Sequence, residues 1–272
     1  MEKNILWKKD KIDFDSFKGE KIEYLEFETL DSTNTYAKEN AKDFNNKFTV
    51  VRAKKQEKGR GRLQRSFISH SDKGAYFSLV IKPEENELPL EYIGLMAIMT
   101  SCALAVSLED LIGLRVGIKW PNDILVNKKK LCGILSESRI SQKQISLLIL
   151  GVGINVNNEQ MHPDIKDIST SVYLETKTQV DIDNLIKNVC RNIIVLYDKI
   201  TKRKVDDILK IWNSYSLMTN REITYEKDGK VFFAISKGID SKGQLVVESE
   251  RGIESLNCNE VRLTIEGGQN GT

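Results

Sequence analysis

Glycine and arginine alternate at Gly59-Arg60-Gly61-Arg62, inside the longer run Arg52-Ala-Lys-Lys-Gln-Glu-Lys-Gly-Arg-Gly-Arg-Leu-Gln-Arg-Ser-Phe67. Glycine lets a backbone adopt positive φ and approach a ligand closely, and guanidinium groups offer forked donors to carboxylate or phosphate oxygens. The combination reads as a loop that wraps an anion. It joins the apolar run Phe48-Thr-Val-Val to the alternating run Ala75-Tyr-Phe-Ser-Leu-Val-Ile, so it connects two predicted strands and does not open a helix. That context excludes the usual phosphate loops. A dinucleotide fingerprint needs a third glycine where Gln64 stands, and the Walker pattern needs a Gly-Lys-Ser/Thr that this loop does not have.

Three other stretches carry groups of the same kind. Asp31-Ser32-Thr33-Asn34 follows the predicted strand Ile22–Leu30 and starts a helix expected to run to about Phe44, its short oxygen-bearing side chains serving either as caps or as an open helix N-terminus facing a ligand. Val116-Gly-Ile-Lys enters Trp120-Pro-Asn-Asp123, where proline holds Trp120 extended and Asn122 and Asp123 end the strand. A hairpin turn at Asn127-Lys-Lys-Lys then brings Asn122, Asp123 and Lys130 into one neighbourhood. By spacing alone Lys130 is a solvated turn lysine beside Lys128 and Lys129. Finally, the apolar strand 145–156 carries Gly151 and Gly153, whose missing side chains admit another group, and ends beside Asn155.

The elements that position these groups belong to a chain long enough for one large and one small domain. Lysine and arginine number 41 against 39 acidic residues, for a net charge of +2, so no global field marks a nucleic-acid binder. Residues 1–21 are a charged lead-in, too short and irregular for a helix-turn-helix domain and without the apolar segment of a signal peptide. A cytoplasmic protein is expected. The uncharged stretch Tyr92–Leu108 is shorter than the roughly 20 apolar residues of a membrane span and reads as a buried helix. Cys102, Cys132, Cys190 and Cys258 show no Cys-x-x-Cys spacing, and His70 and His162 have no neighbour at ligand spacing, which argues against a zinc site or a serine-type triad.

Asp181 caps a helix with Leu185, Ile186, Val189, Ile193, Leu196, Tyr197 and Ile200 at helical spacing, and a second helix is predicted over Val205–Tyr215. Beyond Asn220 come short strands with turns at Lys227-Asp-Gly-Lys, Asp240-Ser-Lys-Gly and Glu250-Arg-Gly, the texture of a small antiparallel barrel. The boundary is placed at residue 218, giving a catalytic domain over 1–217 and a small domain over 218–272, with a frayed tail from Gly267.

Ser-Thr-Asn, Gly-Arg-Gly-Arg, Lys-Trp-Pro-Asn-Asp, Lys-Leu-x-Gly-Ile-Leu and Gly-x-Gly-Ile-Asn occur here in that order, and together they resemble the biotin protein ligase family over about residues 22–157. Each motif alone is weak, whereas five in order are specific. The turns at Gly238-Ile-Asp-Ser-Lys-Gly-Gln-Leu resemble its small C-terminal domain, so the likeness covers most of the chain. The resemblance implies an α+β fold: a class II synthetase-like ligase domain with a mixed sheet, plus an SH3-like β-barrel. It implies a reaction in which biotin and ATP, with Mg²⁺, form biotinyl-AMP, after which biotin passes to a lysine of a biotin carboxyl carrier protein.

By the same resemblance, Ser32, Thr33, Asn34, Gln56, Gly59, Arg60, Gly61, Arg62, Lys130 and Gly133 line the biotin and adenylate site. Arg62 and Lys130 act on the reacting groups. Asn122, Asp123, Gly153 and Asn155 fall where the family meets nucleotide, and Asp123 either holds Mg²⁺ or only shapes its turn. The loop Gly59–Phe67 is expected to be mobile until ligand orders it. This chain departs from the family pattern at Leu63-Gln64, where a glycine is usual, and at Phe67, where tryptophan is usual, which implies altered packing with activity kept. The repressor members' DNA-binding domain has no counterpart among the residues, so a ligase without DNA binding is expected, as monomer or homodimer, and with no membrane association. Two other readings are a lipoate or octanoate ligase of the same fold and a nucleic-acid binder using the Arg52–Arg65 patch. The chain's near-neutral charge and the loop's lack of interleaved aromatics speak against the latter.

Overall fold

The computed structural model describes residues 21–69, 71–141, 144–227, 229–258 and 262–265. The first twenty residues of the lead-in, His70 and the tail from Gly267 lie outside them. A seven-stranded sheet is built from β1 (Ile22–Leu30), β2 (Phe48–Gln56), β3 (Gly74–Ile81), β4 (Gly117–Lys119), β5 (Asp123–Val126), β6 (Lys129–Ser141) and β7 (Gln144–Asn155). Its order is β1-β2-β3-β7-β6-β5-β4, and only the β1–β2 pair is parallel. All eight residues of β3 are buried, because this strand is paired on both sides and covered on both faces.

The two faces carry different helices. Helix α1 (Thr33–Asn40) packs Ala37 on Val51, Val80, Leu147 and Ile149. It ends earlier than the predicted Phe44, continuing only as a 3₁₀ turn over Ala41–Asp43. The other face is covered by α2 (Leu95–Ile112), α4 (Ile182–Thr201) and α5 (Val205–Tyr215), with the short α3 (Val172–Thr176) leading into α4. Asp181 caps α4 through Oδ1, which accepts from the amides of Asp183 and Asn184 at 2.9 and 3.1 Å. Helix α2 starts and ends later than the predicted Tyr92–Leu108 and stops at Gly113, whose φ of +69° suits a residue without a Cβ. It is long and apolar enough to span a membrane, and it is buried in the core.

The C-terminal strands β8 (Glu222–Lys227), β9 (Lys230–Ile239), β10 (Leu245–Ser249), β11 (Gly252–Leu256) and β12 (Arg262–Ile265) form an antiparallel sheet in the order β11-β10-β9-β8-β12. This small SH3-like unit docks on the large domain by its β9–β10 turn. The Trp120 indole donates to the Gly243 carbonyl at 2.9 Å, and a Cβ on Gly94 would meet the Lys242 carbonyl at 2.5 Å.

Candidate active site

On β7 the residues facing α1 run Leu147, Ile149, Gly151, Gly153, so the sheet is apolar beneath the helix and bare beyond its N-terminus. A cavity of about 1000 Å³ opens over that bare floor. It is bounded by the start of α1, the Arg/Gly loop, the β5–β6 hairpin and the segment Ile165–Ser169. Its volume is at the upper end of ordinary ligand sites.

The wall formed by α1 is a buried polar chain. Ser32, the residue before the helix, makes no capping bond with its side chain. Instead the Thr33 amide and hydroxyl donate to Gln56 Oε1 at 2.9 and 3.2 Å, and Gln56 Nε2 donates to Ser69 Oγ at 3.1 Å. Ser78 Oγ stands 2.8 Å from Thr33 Oγ1 and 2.6 Å from Asn34 Oδ1, with one proton to share between them. Asn34 Nδ2 donates to the Leu135 carbonyl at 3.2 Å and to Glu137 Oε2 at 2.9 Å. A Cβ on Gly151 would stand 2.1 Å from Asn34 Oδ1, so the group that this glycine admits is the protein's own asparagine.

The Arg/Gly loop folds back on itself. The Phe67 amide donates to the Gly59 carbonyl at 2.9 Å and the Gly61 amide to the Arg65 carbonyl at 2.7 Å. Gly59 leaves no room for a side chain, since a Cβ there would meet the Phe67 carbonyl at 2.2 Å. The turn passes through Leu63, which takes a left-handed φ of 52° and is 68% exposed. This is the position of the family's departure, and a non-glycine residue there stores roughly 1 kcal/mol. The loop ends with the Phe67 ring lying over Gly153 and Gly133, edge-on to Tyr76 at 6.3 Å.

Opposite stand the cations. Lys130 Nζ is 2.7 Å from Asp123 Oδ1 across the hairpin, whose turn Asn127-Lys128 has positive φ at both residues. Asp123 begins β5, where the sequence suggested the end of a strand. Arg62 Nη1 donates to Asn122 Oδ1 at 3.3 Å and Nη2 to the Cys258 carbonyl at 2.7 Å, so the small domain reaches this wall of the cavity. Asn122 Nδ2 donates to the Ile134 carbonyl at 2.7 Å. Asn155 is turned to the Thr170 carbonyl at 3.0 Å, supporting the segment that runs beside Lys130. The Cys132 thiol is fully buried behind this wall, and burial pushes its pKa upward, away from nucleophile chemistry.

Every site residue expected from sequence lines this cavity except Gly59, which packs against Phe67 and Ser69. Arg52 lies away from it. It is buried between Tyr24, Glu26 and the start of α4, ion-paired with Glu26 at 2.9 Å and with Asp183, so the basic patch of the nucleic-acid reading loses its first member. The fold also brings Glu137, Ser78, Ser69 and the Cys258 carbonyl to these residues, and no motif marks them. Period-two alternation from Gly133 through Leu135 would have put Glu137 on the cavity face. Among the described residues no three His, Cys, Asp or Glu side chains cluster as a metal site, and Asp123 is already paired with Lys130. The described side chains thus offer no ready-made three-ligand metal site.

This geometry suits a ligand with a neutral polar end, which meets the Thr33–Gln56 wall, and an anionic end, which meets Lys130 and Arg62. Residues 26–155 match the Biotin/lipoate A/B protein ligase family, and residues 219–263 match the Biotin protein ligase C terminal domain. The bifunctional ligase/repressor BirA of Bacillus subtilis is 30% identical over 238 residues, covering 87% of this chain and 72% of that protein. This chain belongs to the biotin protein ligase family. The biotin--[acetyl-CoA-carboxylase] ligase of Paracoccus denitrificans is 26% identical, with 85% of this chain and 96% of that protein covered. Among solved structures, the biotin protein ligase of Aquifex aeolicus in complex with biotin and ATP aligns with a TM-score of 0.77 at 27% identity, over 89% of this chain and 99% of that one. The five ordered motifs of the ligase therefore sit on the fold that their resemblance implied.

Proposed function

We propose that the protein is an ATP-dependent biotin protein ligase acting on a lysine of a biotin carboxyl carrier protein. The observation that carries this reading is the convergence of Lys130, Arg62 and Asn122 on one cavity with the Thr33–Gln56 wall. Relatives named for biotin support that acid over lipoate or octanoate.

In the first half-reaction a biotin carboxylate oxygen bonds to the α-phosphorus of ATP, and the bond to pyrophosphate breaks. Bringing two anions together is unfavourable, and fixed cations in a partly enclosed site lower that cost. Lys130 holds the carboxylate and then the α-phosphate as charge moves between them, and Arg62 supplies a second cation. Ser32, Thr33, Asn34 and Gln56 orient biotin, with Gly59, Arg60 and Gly61 above it and Gly133 below. Asn122, Asp123, Gly153 and Asn155 border the nucleotide. In the second half-reaction the acceptor lysine's amine attacks the acyl carbon, AMP leaves, and the amine's proton passes to solvent. No covalent enzyme intermediate is needed.

We place the catalytic domain over 1–217 and the small domain over 218–272. We also propose a cytoplasmic location, no sequence-specific DNA binding and a monomer or homodimer. Biotin-dependent exchange of labelled pyrophosphate into ATP tests the first half-reaction without a carrier. Exchange with biotin and none with lipoate supports the reading; none with either overturns it.

A further inference from the structure

Glu137 has no part in the mechanism above, yet donors from two separate segments converge on it. It lies on the cavity face of β6 with its side chain 18% exposed. Arg60 Nη1 and Nη2 reach its two carboxylate oxygens at 3.4 Å each, Asn34 Nδ2 donates to Oε2 at 2.9 Å, and Lys38 Nζ stands 3.7 Å from Oε1. Arg60 and Arg62 therefore point to different places. Arg62 reaches the β5–β6 side and the small domain, whereas Arg60 reaches across to β6 and the start of α1.

The geometry points to Glu137 as a positioning residue that holds Arg60 as a strap closing the Arg/Gly loop over bound ligand. A guanidinium facing both oxygens of a carboxylate is oriented by it, and this one is turned toward β6 and the start of α1, away from the wall that carries Arg62 and Asn122. Arg60 thus closes the loop, and anion binding falls to Arg62 and Lys130. Glu137 also fixes the Asn34 amide: with Nδ2 committed to Glu137 and the Leu135 carbonyl, Oδ1 must face Ser78. One carboxylate so couples the polar wall to the loop. The inference rests on the ligase reading for the identity of the ligand, while the coupling itself concerns only this chain's residues.

A double-mutant cycle with Glu137→Ala, Arg60→Ala and the pair tests it. The readouts are hydrogen exchange of the Gly59–Phe67 amides without ligand and the rate at which preformed biotinyl-AMP is lost without acceptor. Each single variant is expected to raise both by about tenfold, with the double no worse than either single, because the two act through one contact. Glu137→Gln, which keeps an acceptor for Asn34 and removes the charge, should behave like Arg60→Ala and guards against a folding defect. Arg62→Ala should instead multiply with Glu137→Ala. Multiplying effects of Glu137→Ala and Arg60→Ala, or loop exchange unchanged in Glu137→Ala, overturn the strap. Absent biotin-dependent exchange in the wild type would sink the ligase reading alone, since loop hydrogen exchange still tests the strap.

Discussion

Lys130 Nζ and Asp123 Oδ1 stand 2.7 Å apart across the β5–β6 hairpin, so the cation assigned to the reacting groups is held in place by a carboxylate before any ligand arrives. Pre-positioned charge of this kind is where an enzyme gains most when charge shifts in the transition state. Lys130→Ala is expected to lower biotin-dependent pyrophosphate exchange by about 100-fold or more. Asp123→Asn keeps the shape and the lysine, and should lower it far less. Equal losses in the two variants would mean that the pair matters only as a unit of structure.

The same pairing bears on metal dependence. Asp123 is engaged by Lys130, and the described residues hold no cluster of three ligating side chains for a chelator to empty. Treating the protein with EDTA should leave its Tm unchanged. A fall of several degrees would reveal a structural metal, because a ligand bound only by the folded state raises its stability.

Phe67 and the glycines beneath it form a tight stack, and the loop can sit down only while the floor stays bare. A Cβ at Gly153 would lie 2.5 Å from the Phe67 ring. Gly153→Ala should lift the loop and lower pyrophosphate exchange by about tenfold, as overpacking forces neighbours to move. Adding Phe67→Leu to that variant returns space and should recover part of the loss. No recovery would place the damage in the sheet.

How far this was legible from sequence depends on the range of the interaction. Strand β1, helix α5 and the Asp181 cap follow from local periodicity and capping, and these elements formed where those rules put them. Ordered motifs located the cavity residues. Arg52 stands apart from the cavity because sequence adjacency to Arg60 says nothing about facing: on β2 its side chain turns to α4, while the loop begins only after Gln56. The pairing of Glu137 with Arg60 and of the Cys258 carbonyl with Arg62 is not legible in the sequence for another reason. The partners lie 77 and 196 residues apart, and a main-chain carbonyl leaves no trace in residue type.

That last contact ties the small domain to the Arg62 wall of the cavity. Arg62 donates to a backbone oxygen of residue 258, so the side chain there is dispensable for it. Cys258→Ala should leave pyrophosphate exchange within about twofold of wild type, since main-chain bonds survive side-chain truncation. Trp120→Phe removes the indole donor to Gly243 and should loosen the docked domain, at a cost of about 1 kcal/mol. Its signature is a lower exchange rate together with faster proteolysis near residue 218. If Trp120→Phe matches wild type in both, the domains are held by other contacts.

Arg52 supplies the clearest separation of stability from activity. It is buried beneath α4, away from the cavity, with Glu26 and Asp183 as carboxylate partners. Truncating it leaves those carboxylates facing each other in a partly desolvated place, a loss worth about 3 kcal/mol or more when fully buried. Asp183 keeps 43% of its side-chain surface and can rehydrate, which argues for about 2 kcal/mol here. Arg52→Met should therefore lower Tm by several degrees and leave the exchange rate of the folded protein unchanged at a temperature well below that transition. A loss of exchange without a loss of stability would return Arg52 to the anion-binding machinery.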